Sequence, residues 1–211
     1  MPMLNTQVLW PTKVAIIHSA CETSQMHKQA VLSAGLEDGL LNAEERRVHD
    51  ILNSFPACRQ NIVDHIARYI GDSFDAMEPE LSSRAIVFQD RAFINTHVDS
   101  REGDVTAVLF LTGNGGKEGI EGDDGQPVNS VGNPRFVLED PSRYFDQARL
   151  PFESRHGYSI NPKPGLMVIF PSHIPHNMHP YMGNSPHTQI VINIKFNQLI
   201  DLEQEPKRVS K

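Results

Sequence analysis

His97-Val-Asp-Ser-Arg-Glu-Gly-Asp-Val-Thr-Ala-Val-Leu-Phe-Leu-Thr112 sets two patterns end to end. Its second half, Val105 to Thr112, is a short β-branched and apolar run between Gly103 and Gly113, the pattern of a buried strand. Its first half places an imidazole and a carboxylate two positions apart. In extended chain, residues i and i+2 project from the same face, so His97 and Asp99 stand side by side. Singly, a histidine can be an ordinary core residue and an aspartate a turn residue. Paired just ahead of a buried strand, they point to a metal.

A metal needs a further ligand. Downstream, Pro164-Gly-Leu-Met-Val-Ile-Phe-Pro-Ser-His-Ile-Pro-His176 reads as a second buried strand that delivers histidines at its end. The chain has ten histidines, and His173, His176, His179 and His187 crowd into this region. Two histidines and one carboxylate on one face of an octahedral Fe(II) leave the opposite face open for a bidentate cosubstrate and O2. Arg84–Phe88, Ala92–His97, Val105–Thr112, Gly165–Phe170 and Gln189–Phe196 read as short strands of a sandwich or barrel. Between residues 113 and 164 the Gly-, Asp- and Pro-rich stretch reads as a long, lid-like loop.

Upstream, residues 8–18 read as a strand interrupted by Pro11, which suits a sheet edge. From Asn42, a capping residue, early acids and Val48, Ile51 and Leu52 at helical spacing predict a helix. A second helix is expected over Ala57–Ile70, with Ile62, Ile66 and Ile70 on one face and Gly71 as its stop. The expected fold class is therefore mainly β with N-terminal helices (α+β). Residues 1–80 hold a strand and supporting helices, 81–200 the core, and 201–211 a charged tail.

Composition narrows the partners. At 211 residues the chain suits one domain, and its net charge of −7 argues against nucleic acid or anionic lipid as main partner. No apolar run is long enough to span a membrane. The first residues lack a basic flank and an apolar signal core, so the cytoplasm is the expected compartment. Cys21 and Cys58 are too far apart for a CxxC site and make no disulfide framework, so both are expected to be ordinary thiols. A small-molecule substrate is expected, and a homodimer, the commonest soluble oligomer, is compatible with the chain.

With these residues in view, the stretches His97–Thr112 and Pro164–His176 resemble the Fe(II)/2-oxoglutarate-dependent dioxygenases, nearest the prolyl-4-hydroxylase-like branch. The resemblance covers roughly residues 84–197, and Leu9-Trp-Pro-Thr-Lys-Val is similar to the first strand of a bacterial subgroup. It implies a double-stranded β-helix (jelly-roll, cupin-like) core, with His97, Asp99 and His176 as iron ligands. His173 and His179 compete with His176, and the family's Phe-Pro-Ser register selects His176. His173 then reads as pocket wall or as plain surface, and His179 as exposed.

The family commonly anchors the far carboxylate of 2-oxoglutarate with an arginine on the last strand, and here His187 stands in that register. A histidinium at His187 can serve, or Gln189 can donate a hydrogen bond while Arg84, Arg91 or Lys195 supplies charge. Thr106 matches a position that often bonds the cosubstrate, Asn95 is expected to orient cosubstrate or substrate, and Arg91, Phe110 and His173 are expected near the substrate. Asp99 rather than a small residue implies oxygenation rather than halogenation. The implied reaction is hydroxylation of an unactivated C–H bond of an amino acid or biosynthetic intermediate, using Fe(II), 2-oxoglutarate and O2 and yielding succinate and CO2. Other readings are hydroxylation of a prolyl or other protein side chain, a non-catalytic metal-binding β-barrel sensor, and a zinc hydrolase, for which no HExxH motif is present.

Overall fold

The computed structural model describes residues 4–9, 12–35, 45–89, 91–113, 135–141, 157–181 and 185–198. The strands in chain order are β1 (Leu4–Leu9), β2 (Thr12–Ile17), β3 (Glu45–His49), β4 (Pro79–Phe88), β5 (Ile94–His97) and β6 (Val105–Phe110). They continue with β7 (Phe136–Glu139), β8 (Gly157–Ile160), β9 (Met167–Pro171), β10 (His176–Met178) and β11 (His187–Phe196). Two α-helices, α1 (Ser24–Ser33) and α2 (Pro56–Ile70), complete the described residues together with short 3-10 turns.

The strands form two antiparallel sheets, one of order β1-β2-β9-β6-β11-β4-β3 and one of order β5-β10-β7-β8. The larger sheet is covered on both faces. On one side Met26, Ala30, Ile62 and Ile66 of the helices pack on Ala85, Val87, Ala107, Leu109, Ile190 and Ile192. On the other, Ile86, Phe88, Val108, Phe110 and Phe170 meet Phe136, Leu138 and Met178 of the smaller sheet. Every residue of β6 is buried. This is why the strands at its centre read as continuous apolar runs rather than alternating ones.

α2 forms where the periodicity places it. Pro56 occupies its first turn, where a missing N–H costs nothing, and Cys58, Ile62, Ile66 and Tyr69 are buried. Gly71 follows at φ 101, a conformation only glycine adopts freely, and ends the helix. α1 escaped the sequence reading because only Met26 and Ala30 of its residues are buried, too few for a visible stripe.

Three expectations are corrected. The helix expected from Asn42 is instead β3, paired along β4 from Glu45↔Phe88 to His49↔Arg84. Asp50 then turns into the left-handed region at φ 55, which no helix tolerates, and Ile51 and Leu52 enter the core from a 3-10 turn. Pairing with a buried strand has overridden local periodicity. The N-terminal stretch is a hairpin rather than one strand, β1 lying antiparallel to β2 from Leu4↔Ile17 to Leu9↔Thr12. Residues 1–80 thus supply three strands of the main sheet as well as both helices.

The cysteines are the third correction. Cys21 and Cys58 are joined in a disulfide, with Cα atoms 5.6 Å apart. The chain after β2 folds across the start of α2, a contact that spacing in sequence cannot show. Pro11, most of the stretch between 113 and 164 and the tail beyond 198 lie outside the described residues, although that stretch contributes β7 and β8. No helix among the described residues is long and apolar enough to cross a membrane.

Candidate metal centre

Sheet pairing assembles the site. β10 pairs with β5 so that His176 lies directly opposite His97, and the two rings approach to 4.3 Å between centroids. Asp99 follows β5 in a turn whose backbone N–H donates to the Ser172 carbonyl at 2.9 Å. His97 Nε2 lies 3.5 Å from Asp99 Oδ1, and His176 Nε2 lies 3.7 Å from Asp99 Oδ2. Ligand atoms of the three residues fall within 4.8 Å of one another. Two residues two positions apart in sequence and one far downstream are therefore brought to one point.

The donor set suits a divalent metal. Each histidine turns Nδ1 to a backbone carbonyl two residues before it, His97 to Asn95 at 2.9 Å and His176 to Ile174 at 3.0 Å. Each such bond needs the proton on Nδ1, which leaves the Nε2 lone pair for a metal. Burial, then the neighbouring His97, push the His176 pKa down to about 4, so its ring is neutral near pH 7. His176 and Asp99 are buried, whereas the His97 side chain is 38% exposed and marks the open side of the site.

A polar network backs the carboxylate. Thr106 Oγ1 and Asn193 Nδ2 each donate to Asp99 Oδ2 at 3.3 Å, and Thr106 Oγ1 shares a 2.8 Å hydrogen bond with Ser172 Oγ. Arg84 donates to Asn193 Oδ1 at 2.8 Å, pairs with Glu102, and holds Nη2 3.8 Å from Asp99 Oδ1. Thr106 therefore serves the carboxylate rather than the cavity.

The cavity beside the triad is small, about 20 Å³, and includes Arg47, Arg84, Met178 and Gln189 in its wall. A larger cavity of about 800 Å³ lies between the helices and the far end of the main sheet and includes none of the triad. In cross-strand register Arg47 faces Ile86, which faces Gln189, and Arg84 faces Val191. Two guanidinium groups thus come from β3 and β4 rather than from the last strand. Arg47 was missed because its segment was read as helix; strand alternation would have put it on the face shared with the metal.

Other candidates fall elsewhere. His187 is fully buried beside Phe88, Phe110 and Tyr181, with Nδ1 near Thr112 Oγ1 at 2.9 Å and the Gly113 carbonyl at 3.1 Å. Burial lowers its pKa to about 4, so the histidinium expected there is a neutral ring. Phe110 is fully buried against Phe136 and His187, where it acts as core. Asn95 is exposed and contributes its carbonyl to His97 rather than its amide to the cavity. Arg91, His173, His179 and Lys195 are exposed and outside the cavity wall.

No protein-family model matches the chain, and no curated protein matches it in sequence. Solved structures do. A prolyl-4-hydroxylase from Pseudomonas putida is 15% identical, with a TM-score of 0.53 over 88% of this chain and 93% of that one. EvdO2 from Micromonospora carbonacea var. aurantiaca is 13% identical, with a TM-score of 0.56 over 95% and 96%. HygX from Streptomyces hygroscopicus, solved with nickel and 2-oxoglutarate bound, is 9% identical, with a TM-score of 0.54 over 88% and 83%. At these identities the likeness is one of fold, which the chain shares with these three proteins.

Proposed function

We propose that the chain is a non-haem Fe(II) oxygenase with a double-stranded β-helix core that hydroxylates an unactivated C–H bond of a small molecule, an amino acid or biosynthetic intermediate. The observation that carries this reading is the convergence of His97 Nε2, His176 Nε2 and the Asp99 carboxylate, with both Nδ1 atoms tied to carbonyls. HygX binds nickel and 2-oxoglutarate on a similar fold, which supports the same metal class and cosubstrate here. Fe(II) at such a site supplies O2 activation coupled to decarboxylation of 2-oxoglutarate to succinate and CO2.

The remaining chemistry belongs to the chain. Asp99 offers a fixed anionic ligand, and the buried, neutral His176 offers a lone pair without competition from protons at neutral pH. The cosubstrate is a dicarboxylate whose far end needs a charge partner. Arg84 and Arg47 supply the cations of the cavity wall, and the Arg84 Nε is buried without an acceptor. Gln189, buried in the same wall, offers a neutral amide. A cavity of about 20 Å³ has room for roughly one water, so the cosubstrate enters by displacing side chains such as Met178 and Arg47.

A small-molecule substrate reaches the site from the exposed side of His97, with the protein acting alone or as a homodimer. A cytoplasmic setting is the proposal that the Cys21–Cys58 disulfide weighs against, since cytosolic thiols are kept reduced. Alkylation of thiols in freshly lysed cells decides it. The function itself is tested by anaerobic addition of Fe(II) and then 2-oxoglutarate to the apoprotein. A saturable visible charge-transfer band, lost in His97→Ala, is expected. Iron binding without that band would favour the non-catalytic metal-binding module.

A further inference from the structure

One amide separates a guanidinium group from the carboxylate of the triad. Asn193 is 1% exposed, in the interior of β11, where it faces Ser82 of β4 and Thr106 of β6. Its Oδ1 accepts from Arg84 Nη1 at 2.8 Å while its Nδ2 donates to Asp99 Oδ2 at 3.3 Å. The opposite orientation would turn an oxygen toward a carboxylate and an N–H toward a guanidinium, so the amide can stand only one way.

The surroundings explain what the amide prevents. Arg84 and Asp99 are both largely withdrawn from water, at 13% and 2% side-chain exposure, yet their closest approach is a loose 3.8 Å. A bidentate, charge-assisted pair is the stronger arrangement for these two groups. It does not form because Arg84 Nη1 is held by Asn193 and Glu102, while Oδ2 of Asp99 is occupied by Thr106 and Asn193. If the guanidinium closed on Asp99, it would compete with a dication for the same oxygens.

We infer that Asn193 is a positioning residue that holds Arg84 off Asp99, so that the carboxylate stays available to a divalent metal. This rests on the reading of His97, Asp99 and His176 as a metal centre, and it goes beyond that reading by naming what keeps the ligand competent. An apolar spacer would let Arg84 close on Asp99, and an acidic one would capture Arg84 but repel Asp99. The amide presents its acceptor and its donor on two separate atoms, so it spans the gap, accepting from Arg84 and donating to Asp99.

The test uses Co(II) as the probe on the full-length apoprotein, read by its visible d–d absorption, with neither cosubstrate nor turnover. Asn193→Ala is expected to weaken Co(II) binding about 10- to 100-fold, the usual effect of losing a residue that orients a ligand. Arg84→Met is expected to bind as tightly as wild type or more so, and the double variant to recover most of the loss. Should circular dichroism show Asn193→Ala unfolded, the β-branched, apolar Asn193→Val carries the same expectation.

Unchanged Co(II) affinity on removal of Asn193 overturns the inference. A loss that Arg84→Met fails to restore overturns it equally, because the amide would then act through general packing. Wild-type protein that binds no Co(II) at all overturns the metal centre itself, and the two failures are thereby distinguished.

Discussion

His187 shows how burial alone reassigns a residue. By the sequence resemblance it stands where a charged anchor is expected, yet among Phe88, Phe110 and Tyr181 its ring stays neutral down to a pKa of about 4. An unfolded histidine titrates near 6.5, so between these values the unfolded chain takes up a proton that the folded chain refuses. The stabilisation that results is complete above about pH 6.5 and is lost as the pH falls toward 4, on the order of 3 kcal/mol. Urea melts at pH 7.5 and pH 4.5 should show this loss, and His187→Phe should shrink the difference between them. The buried His176 leaves a residual slope of the same sign.

Between residue and fold stand the elements that present the triad. The turn after Asp99 returns through Gly103 onto β11, and a Cβ at Gly103 would lie 2.7 Å from the Ile194 carbonyl oxygen and 3.0 Å from its backbone nitrogen. Those atoms are held in the sheet and cannot yield. Gly103→Ala is therefore expected to cost about 1–3 kcal/mol by overpacking and to weaken Co(II) binding, because the displaced turn carries Asp99. Ile62→Ala in α2 removes a fully buried side chain on the far face of the main sheet. It is expected to cost about 2–5 kcal/mol while leaving Co(II) affinity unchanged. Measuring stability and affinity for both variants separates the two effects.

At the scale of the molecule, the disulfide closes the N-terminal part onto itself. Cys21 and Cys58 lie 37 positions apart, a span that includes α1 and β3. By chain entropy such a loop stabilises the fold by about 4 kcal/mol. Reduction, or Cys58→Ala, should lower the midpoint of thermal unfolding accordingly, whereas Co(II) affinity measured well below that midpoint should hold. The larger cavity, which Cys21 helps to line, is the part of the molecule whose packing this bond secures.

What could be read from residues alone was whatever depends on local order. His97 and Asp99 are two positions apart, so extended geometry places them together before any sheet is known. The central strands are buried on both faces, and α2 repeats its apolar residues at helical spacing, so their patterns survive in one dimension. What required the tertiary structure was everything set by distant partners. Glu45–His49 became a strand because pairing along the buried β4 overrode its local periodicity. Cys21 met Cys58, and Arg47 came to the cavity, because separate segments were folded together. His187 lost its charge to its surroundings, and Asn193 gained its place between Arg84 and Asp99 because β4 and β11 are adjacent in one sheet and the turn after β5 brings Asp99 against them. Periodicity is a property of neighbours along the chain, whereas burial, charge state and hydrogen-bond partnership are properties of neighbours in space.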